Sequence, residues 1–182
     1  MEIKTTFIDG LLLISPDIFN DNRGSFHESW NSKKFNKVVG KQVNFVQDNL
    51  STSKAGVVRG LHYQIPPSAQ SKLIQVLSGS ILDVAVDIRP DSKTYGQHFA
   101  IKLDSESRIQ LWIPEGFAHG FLALEDQTVV MYKCTNFYDP SCERSLKWDD
   151  ADLDIDWGDI SSSNHILSDK DSQAVSFNEI QL

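Results

Sequence analysis

Short runs of alternating apolar and polar residues recur along this chain, separated by turn-forming residues roughly every eight to twelve positions, as in β-sandwiches and barrels. The clearest run is 81–88, where the even positions are large and apolar while the odd positions include Asp83 and Asp87. Because successive side chains of a strand point to opposite faces, this run predicts a strand with one packed face and one face in polar surroundings. Similar alternation predicts further strands at 99–103, 109–113 and 128–134.

Local signals between these runs predict turns and one helix. Ser78-Gly79 lies between two strand-like runs and predicts a tight hairpin, because Gly adopts a positive φ without a steric cost. A short helix is expected at 32–39, capped by Asn31 or Ser32, with Phe35 on its apolar face. The end of the chain, from about 161 onward, is expected to be irregular, beginning with a loop at 161–164.

Composition favours one globular domain over residues 1–182. This length can bury a sizeable core, 40% of the residues are hydrophobic, and no apolar run is long enough for a membrane span. No secretory signal is visible at the amino terminus, so we expect a soluble cytoplasmic protein. Cys134 and Cys142 are then expected to be free thiols or core residues, and the absence of a CxxC motif gives no support to a thiolate zinc site.

The net charge limits the classes of partner. A formal charge of −8 argues against nucleic acid, which requires a basic stripe to displace counterions. An anionic small molecule can still bind, provided that Arg and Lys side chains cluster inside a cleft.

The densest polar cluster runs from Arg59 to Gln64 and is followed by Lys72. On one strand, His62 and Gln64 share a face, whereas Arg59 has the opposite parity. Arg59 therefore reaches the same cavity only if Gly60 introduces a bulge or twist.

A second segment, 113–121, contains Pro114, Gly116 and His119 in the P-x-G-x-x-H spacing of the second motif of cupin-type jelly rolls. Metal-dependent cupins take further ligands from their first motif, where this chain has His62, Gln64 and Lys72. Because a lysine ammonium repels a cation, we expect a site without metal, which argues against metal-dependent dioxygenase or isomerase chemistry.

Together, these segments closely resemble the dTDP-4-dehydrorhamnose 3,5-epimerase family, in order and across nearly the whole chain. The matching segments are 21–28, 45–49, 58–64, 70–73, 83–89, 110–121 and 167–171. The resemblance implies an all-β, cupin-like jelly roll that works as a homodimer without metal or nicotinamide. It also implies an isomerase of dTDP-L-rhamnose biosynthesis, which converts dTDP-4-dehydro-6-deoxy-α-D-glucose to dTDP-4-dehydro-β-L-rhamnose.

The resemblance also assigns catalytic roles. His62 would be the base that removes a proton beside the ketone, and Asp171 would orient and polarise its ring. Lys72 would hold the enolate oxygen, and Tyr132 would return a proton from the opposite face. Phe137 occupies a place where some members carry Tyr, which leaves the balance between inversion at carbon 3 and carbon 5 open.

Substrate contacts carry over in the same way. Arg23 and Arg59 are suited to the diphosphate, because a guanidinium can bind two phosphate oxygens at once. Phe26 and Trp112 are candidates to flank the base. The remaining positions that match substrate contacts are Glu28, Gln47, Asn49, Lys72, His119, Glu143 and Lys170. Asp83, Asp87 and Arg89 are assigned a structural role.

Two alternatives remain open from the sequence. One is an epimerase that inverts a single carbon of another dTDP-4-keto-6-deoxy sugar, which would carry nearly the same residues. The other is a non-catalytic jelly-roll module that binds sugar nucleotides. Such a module would be expected to lack His62, Lys72 or Tyr132, and this chain has all three.

Overall fold

The computed structural model describes residues 1–158, 165–180 and 182, which form thirteen β-strands and two short α-helices. The strands are β1 (Glu2–Thr5), β2 (Leu12–Ser15), β3 (Ile18–Asp21), β4 (Gly24–His27), β5 (Gln47–Ser53), β6 (Val58–Gln64), β7 (Lys72–Ser78), β8 (Ser80–Asp87), β9 (His98–Asp104), β10 (Gln110–Ile113), β11 (Phe117–Ala123), β12 (Thr128–Cys134) and β13 (Glu143–Ser145). The helices are α1 (Ser32–Val39) and α2 (Asp169–Ser172), and a 3₁₀ turn covers Phe177–Glu179.

Two antiparallel sheets form the body of the molecule. One has the strand order β1-β2-β10-β7-β12-β5 and the other β13-β6-β11-β8-β9, while β3 and β4 form a separate ribbon. Side chains such as Ile74 and Val130 of the first sheet share one apolar core with Ala85 and Phe121 of the second. The fold is therefore a cupin-like jelly roll, as the sequence predicted.

Further apolar clusters cover the outer faces of the sheets. Helix α1 packs Phe35 against Trp112 of the six-stranded sheet, and Trp157 packs on the outer face of the five-stranded sheet. The predicted helix is confirmed, because the Asn31 side chain accepts the backbone N–H of Lys34 and Gly40 ends the helix in the left-handed conformation. Within the described ranges, no helix has the length and apolar character that a bilayer crossing requires.

The predicted hairpin at Ser78-Gly79 is wrong. Strands β7 and β8 flank this dipeptide but belong to different sheets. Gly79 has φ +76°, and a Cβ there would lie 2.4 Å from Thr128 Oγ1. The glycine signal therefore correctly marked a special backbone conformation, but the pairing of each strand is decided by residues far away in the sequence.

Strand β8 also differs from its prediction, because both of its faces are buried. Val84 and Val86 are packed, as expected, and they lie on the outer face of the sheet. On the other face, Asp83 and Asp87 are fully buried and bond to protein groups rather than to solvent. The loop expected at 161–164 lies outside the described residues.

Candidate active site

A cavity of about 440 Å³ collects most of the polar residues that the sequence singled out. The two sheets face each other across it, and α2 lies at its edge. The residues of this group that line it are Arg59, His62, Lys72, His119, Tyr132, Lys170 and Asp171. Three of them are Arg or Lys, so the cavity of this acidic protein gathers the kind of side chains that bind anions.

His62 and Asp171 form a hydrogen-bonded pair. His62 lies on β6, and its Nε2 is 2.5 Å from Oδ1 of Asp171, the third residue of α2. Asp171 is only 4% exposed, whereas the His62 side chain is 28% exposed and lines the cavity. Burial acts to raise the pKa of Asp171, but the bonds from His62 and Ser168 outweigh it and hold this pKa below its ordinary value. The carboxylate can therefore orient the imidazole and stabilise its protonated form.

Tyr132 and Lys72 come from the opposite sheet. Tyr132 lies on β12 and Lys72 at the start of β7, both on the face that points into the sandwich. Burial raises the pKa of the Tyr132 phenol, so it holds its proton at neutral pH. Burial also lowers the pKa of Lys72, whose Nζ lies 3.4 Å from the carbonyl oxygen of His62. A base and a neutral acid thus stand on facing walls, with an amine nearby.

Arg59 joins the cavity because β6 is irregular at Gly60. His62 pairs with His119 and Arg59 with Phe121, so three steps along β6 oppose two along β11. Gly60 has φ +123°, in the region that favours glycine. The bulge that the parity argument required is present. The guanidinium bonds to Ser53 Oγ and to the carbonyl oxygen of Thr52 on β5.

A second histidine–carboxylate pair lies beside the first. Nε2 of His119 is 2.7 Å from Oδ1 of Asp83, and both side chains are buried. Burial lowers the pKa of His119, which favours a neutral imidazole. Asp83 was predicted to have a structural role, and its contact with His119 was not predicted. Its inward parity on β8 was a signal that this carboxylate faces the interior, but its partner depends on the register of β8 against β11, which no local pattern reveals.

Lys170 and Glu143 form an ion pair at the edge of the cavity. Glu143 also accepts a 2.7 Å hydrogen bond from the hydroxyl of Tyr138. Burial acts to raise the pKa of Glu143, but these two partners hold it below its ordinary value. Both predicted substrate contacts therefore lie close to Asp171, and each already has a protein partner.

Two glutamines hold the backbone of the loop that follows β12. Gln64 donates to the carbonyl oxygens of Ser68 and Phe137 and accepts the N–H of Asp139, at 2.5, 3.1 and 2.9 Å. The side-chain oxygen of Gln47 accepts the N–H of Tyr138 at 2.9 Å. Gln64 stands where cupins carry a metal ligand, but its side chain is bonded to the backbone of two loops.

Gln47 and Asn49 share one face of β5, as predicted. Gln47 donates to Asn49 Oδ1, and Asn49 donates to Cys134 Sγ. Asn49 is paired in register with Tyr132 and Gln47 with Cys134, so both amides lie on the same face of the six-stranded sheet as the phenol.

Six predicted substrate contacts are not among the residues that line the cavity: Arg23, Phe26, Glu28, Gln47, Asn49 and Glu143. Arg23 and Phe26 lie on the exposed ribbon, where Arg23 pairs with Asp21. Glu28 follows the ribbon and pairs with Lys34 of α1. Trp112 is buried against Phe35, so the expectation that it flanks the base is wrong: its parity on β10 directs it to the outer face.

Among residues 1–158, 165–180 and 182, no three His, Cys, Asp or Glu side chains come together in a group that could hold a metal ion. Cys134 and Cys142 are buried free thiols, in agreement with their prediction.

Comparison with known proteins shows consistent similarity along the chain. Residues 5–179 match the family model described as dTDP-4-dehydrorhamnose 3,5-epimerase. The protein of that name from Shigella flexneri is 47% identical over 177 residues, which cover 97% of this chain and 96% of the relative.

Solved structures agree with this match. A dTDP-4-dehydrorhamnose 3,5-epimerase from Elizabethkingia anophelis superposes with a TM-score of 0.95 at 43% identity, covering 100% of this chain and 99% of that one. A dTDP-6-deoxy-D-glucose-3,5-epimerase from Legionella pneumophila, in complex with dTDP-4-keto-L-rhamnose, gives 0.94 at 45% identity, covering 99% and 94%.

Proposed function

The chain belongs to the dTDP-4-dehydrorhamnose 3,5-epimerase family, and we propose that His62 and Tyr132 carry out this epimerisation from opposite walls of the cavity. The reaction converts dTDP-4-dehydro-6-deoxy-α-D-glucose to dTDP-4-dehydro-β-L-rhamnose, a step of dTDP-L-rhamnose biosynthesis. The observation that carries the residue roles is the placement of His62, bonded to the Asp171 carboxylate, on one sheet and of the protonated Tyr132 phenol on the facing sheet.

The chemistry begins with a proton beside a ketone. Hydrogens on carbons 3 and 5 are weakly acidic, because the electron pair left behind delocalises onto the oxygen at carbon 4. His62 accepts the proton, and the Asp171 carboxylate stabilises the resulting imidazolium. Lys72 stabilises the enolate oxygen as negative charge develops on it.

Inversion requires that a proton return from the other face. Tyr132 donates its phenolic proton to the carbanion carbon, and the phenolate is reprotonated from solvent. His62 releases its proton to solvent before the second carbon reacts. Repetition at the other carbon completes the double inversion with no net redox change, so no nicotinamide is consumed.

Binding of the nucleotide is assigned to the cations and amides around this centre. Arg59 and Lys170 are suited to the diphosphate, while His119, Gln47, Asn49 and Glu143 are suited to sugar and nucleotide hydroxyl and carbonyl groups. Because Lys170 is paired with Glu143, we expect diphosphate to compete with this carboxylate for the ammonium.

We further propose a cytoplasmic homodimer. Strand β5 is an open edge of the six-stranded sheet, and Leu50 on it is exposed. Phe19 and Phe26 of the ribbon are 63% and 69% exposed. Such apolar surface and open edges are typical of faces that another subunit covers.

The decisive experiment is incubation of the enzyme with dTDP-4-dehydro-6-deoxy-D-glucose in deuterium oxide, with deuterium counted at each carbon. Incorporation at carbons 3 and 5 together with formation of the L-rhamno product is expected. Deuterium at one carbon alone would assign the enzyme to single-carbon epimerisation, and no exchange would favour the non-catalytic binding module.

A parallel sample treated with a chelator should retain full activity. A loss of activity that a divalent ion restores would contradict the role of Lys72.

A further inference from the structure

The carboxylate that serves the proposed base is delivered by the end of the chain rather than by a sheet. Asp171 belongs to α2, a helix of four residues that is too short to be stable alone. Two isolated bridges attach the surrounding segment to the five-stranded sheet, one joining Val57 to Ile166 and the other Leu146 to Val175. These attachments fix the backbone near His62, but they do not fix the rotation of the Asp171 side chain.

The hydrogen bonds of the carboxylate show what fixes that rotation. Oδ1 of Asp171 bonds to His62, and Oδ2 accepts a 2.9 Å hydrogen bond from the hydroxyl of Ser168. The neighbouring cation, Lys170, is bound to Glu143 instead. Among the described residues, the side-chain hydrogen bond to Oδ2 comes from the hydroxyl of Ser168.

Ser168 is held in place by the helix that it caps. Its Oγ accepts the backbone N–H of Asp171 at 3.1 Å while its proton is donated to the side chain of the same residue. One hydroxyl therefore ties both the main chain and the carboxylate of Asp171. This closed arrangement leaves Oδ1 as the oxygen presented to the imidazole.

We propose that Ser168 is a positioning residue for the base, acting through Asp171 to hold the carboxylate in the rotation that orients His62. The inference rests on the proposed function, since it extends the His62–Asp171 pair to a third member. Ser168 lines the cavity, but its hydroxyl is already engaged, so its contribution belongs to the chemical step rather than to substrate binding.

Replacement of Ser168 by Ala would leave Oδ2 of a buried carboxylate without its partner. Loss of a charge-assisted hydrogen bond of this kind should lower kcat about 10- to 100-fold, with KM and dTDP affinity nearly unchanged. The bond from Ser168 is one of the causes that lower the pKa of Asp171, so its removal moves that pKa upward. The acidic limb of the kcat/KM profile should therefore move to higher pH.

Two further variants separate this role from a general effect on α2. Ser168→Thr keeps a hydroxyl that can both cap and donate, and should restore most of kcat. Ser172→Ala is the matched control, because Ser172 lies in the same helix and its hydroxyl donates only to the carbonyl oxygen of Asp169. This control should retain the wild-type rate and pH profile.

A measurement on the enzyme without substrate completes the test. The downfield proton resonance of the imidazole bonded to Asp171 should change in Ser168→Ala and stay unchanged in Ser172→Ala. Unchanged kcat and unchanged resonance in a folded Ser168→Ala protein would overturn the proposal, as would a rise in KM alone, which would make Ser168 a substrate contact. If the wild type failed to epimerise, the proposed function would fall, while the resonance would still decide whether Ser168 positions the pair.

Discussion

His62 and His119 are direct partners across β6 and β11, yet they differ in exposure to the cavity, which proton transfer to a substrate requires. His119 and its carboxylate Asp83 are both buried, so this imidazole is suited to a fixed hydrogen bond as a neutral group. His62 is partly exposed to the cavity and can exchange its proton with substrate and solvent. Exposure, rather than the presence of a carboxylate partner, therefore distinguishes the proposed base His62 from His119.

The proposed roles of His62 as base and Tyr132 as acid predict different outcomes for two substitutions. In His62→Ala, turnover and solvent exchange at both carbons should fall together by about 100- to 10,000-fold, because no enolate forms without a proton acceptor. In Tyr132→Phe, product formation should fall more than exchange, because His62 can still remove a proton and return deuterium to the original face. Deuterium incorporation followed by NMR, alongside product formation, measures both quantities.

His98→Ala is a suitable control for these variants, because His98 lies on β9 and does not line the cavity. It should retain the wild-type rate. Near-normal turnover by folded His62→Ala would contradict the mechanism. Equal losses of exchange and product in Tyr132→Phe would remove support for a separate acid.

At this scale the sequence predicted which polar residues gather in the cavity better than it predicted their hydrogen-bond partners. Parity placed His62 and Gln64 on one face, and it left open whether a bulge at Gly60 brings Arg59 to the same cavity, which the structure shows. The bond from Asp83 to His119 was missed, because it joins adjacent strands whose register no local pattern reveals. Trp112 was placed wrongly because aromatic character alone does not tell which face of a sheet is the cavity.

At the level of secondary-structure elements, the close contact of β6 with β11 depends on two glycines, Gly60 and Gly120. A Cβ on Gly120 would lie 2.7 Å from the carbonyl oxygen of Arg59 and 3.1 Å from Cα of Gly60. These contacts are with backbone atoms, which cannot move aside without shifting the strand. The close approach is what allows Arg59 and His62 to face the same cavity across the bulge.

Gly120→Ala should therefore destabilise the fold and displace Arg59. We expect a loss of about 1–3 kcal/mol in the free energy of unfolding, as for other overpacked positions, measured by urea unfolding. The KM for the sugar nucleotide should rise as well, since the carbonyl that clashes belongs to Arg59. Ala100→Ser, at an exposed position of β9, is the control and should change neither value. An unchanged unfolding midpoint for Gly120→Ala would show that the two strands can separate without cost.

Strand existence was predictable from alternation, whereas sheet membership was not. The strands at 99–103, 109–113 and 128–134 appear close to their predicted positions. The failed hairpin at Ser78-Gly79 shows the limit, because β7 pairs with β10 and β12 while β8 pairs with β9 and β11. Such long-range pairing depends on the burial of whole faces, which a two-residue turn signal does not encode.

For the whole molecule, the position of the ribbon raises the question of which cavity it serves. The resemblance predicted Arg23 and Phe26 to be substrate contacts, yet neither lines the cavity of its own chain. Arg108 bonds to Ser25 and His27 and so anchors strand β4 of the ribbon, while Arg23 stays exposed. In the proposed homodimer, the simplest arrangement that lets Arg23 meet the diphosphate places the ribbon of one subunit at the cavity of the other.

Mixed dimers test this arrangement directly. Arg23→Ala and His62→Ala homodimers should each be impaired, the first mainly in KM and the second in kcat. Co-expressed with different tags and purified as a heterodimer, they should recover about half of the wild-type activity, because one of the two sites then combines an intact His62 with an intact Arg23 from the other subunit. If Arg23 served its own chain, every site of the heterodimer would keep one defect and no activity would return. Light scattering on the same samples supplies the mass, and a monomer at micromolar concentration would contradict both the dimer and the shared site.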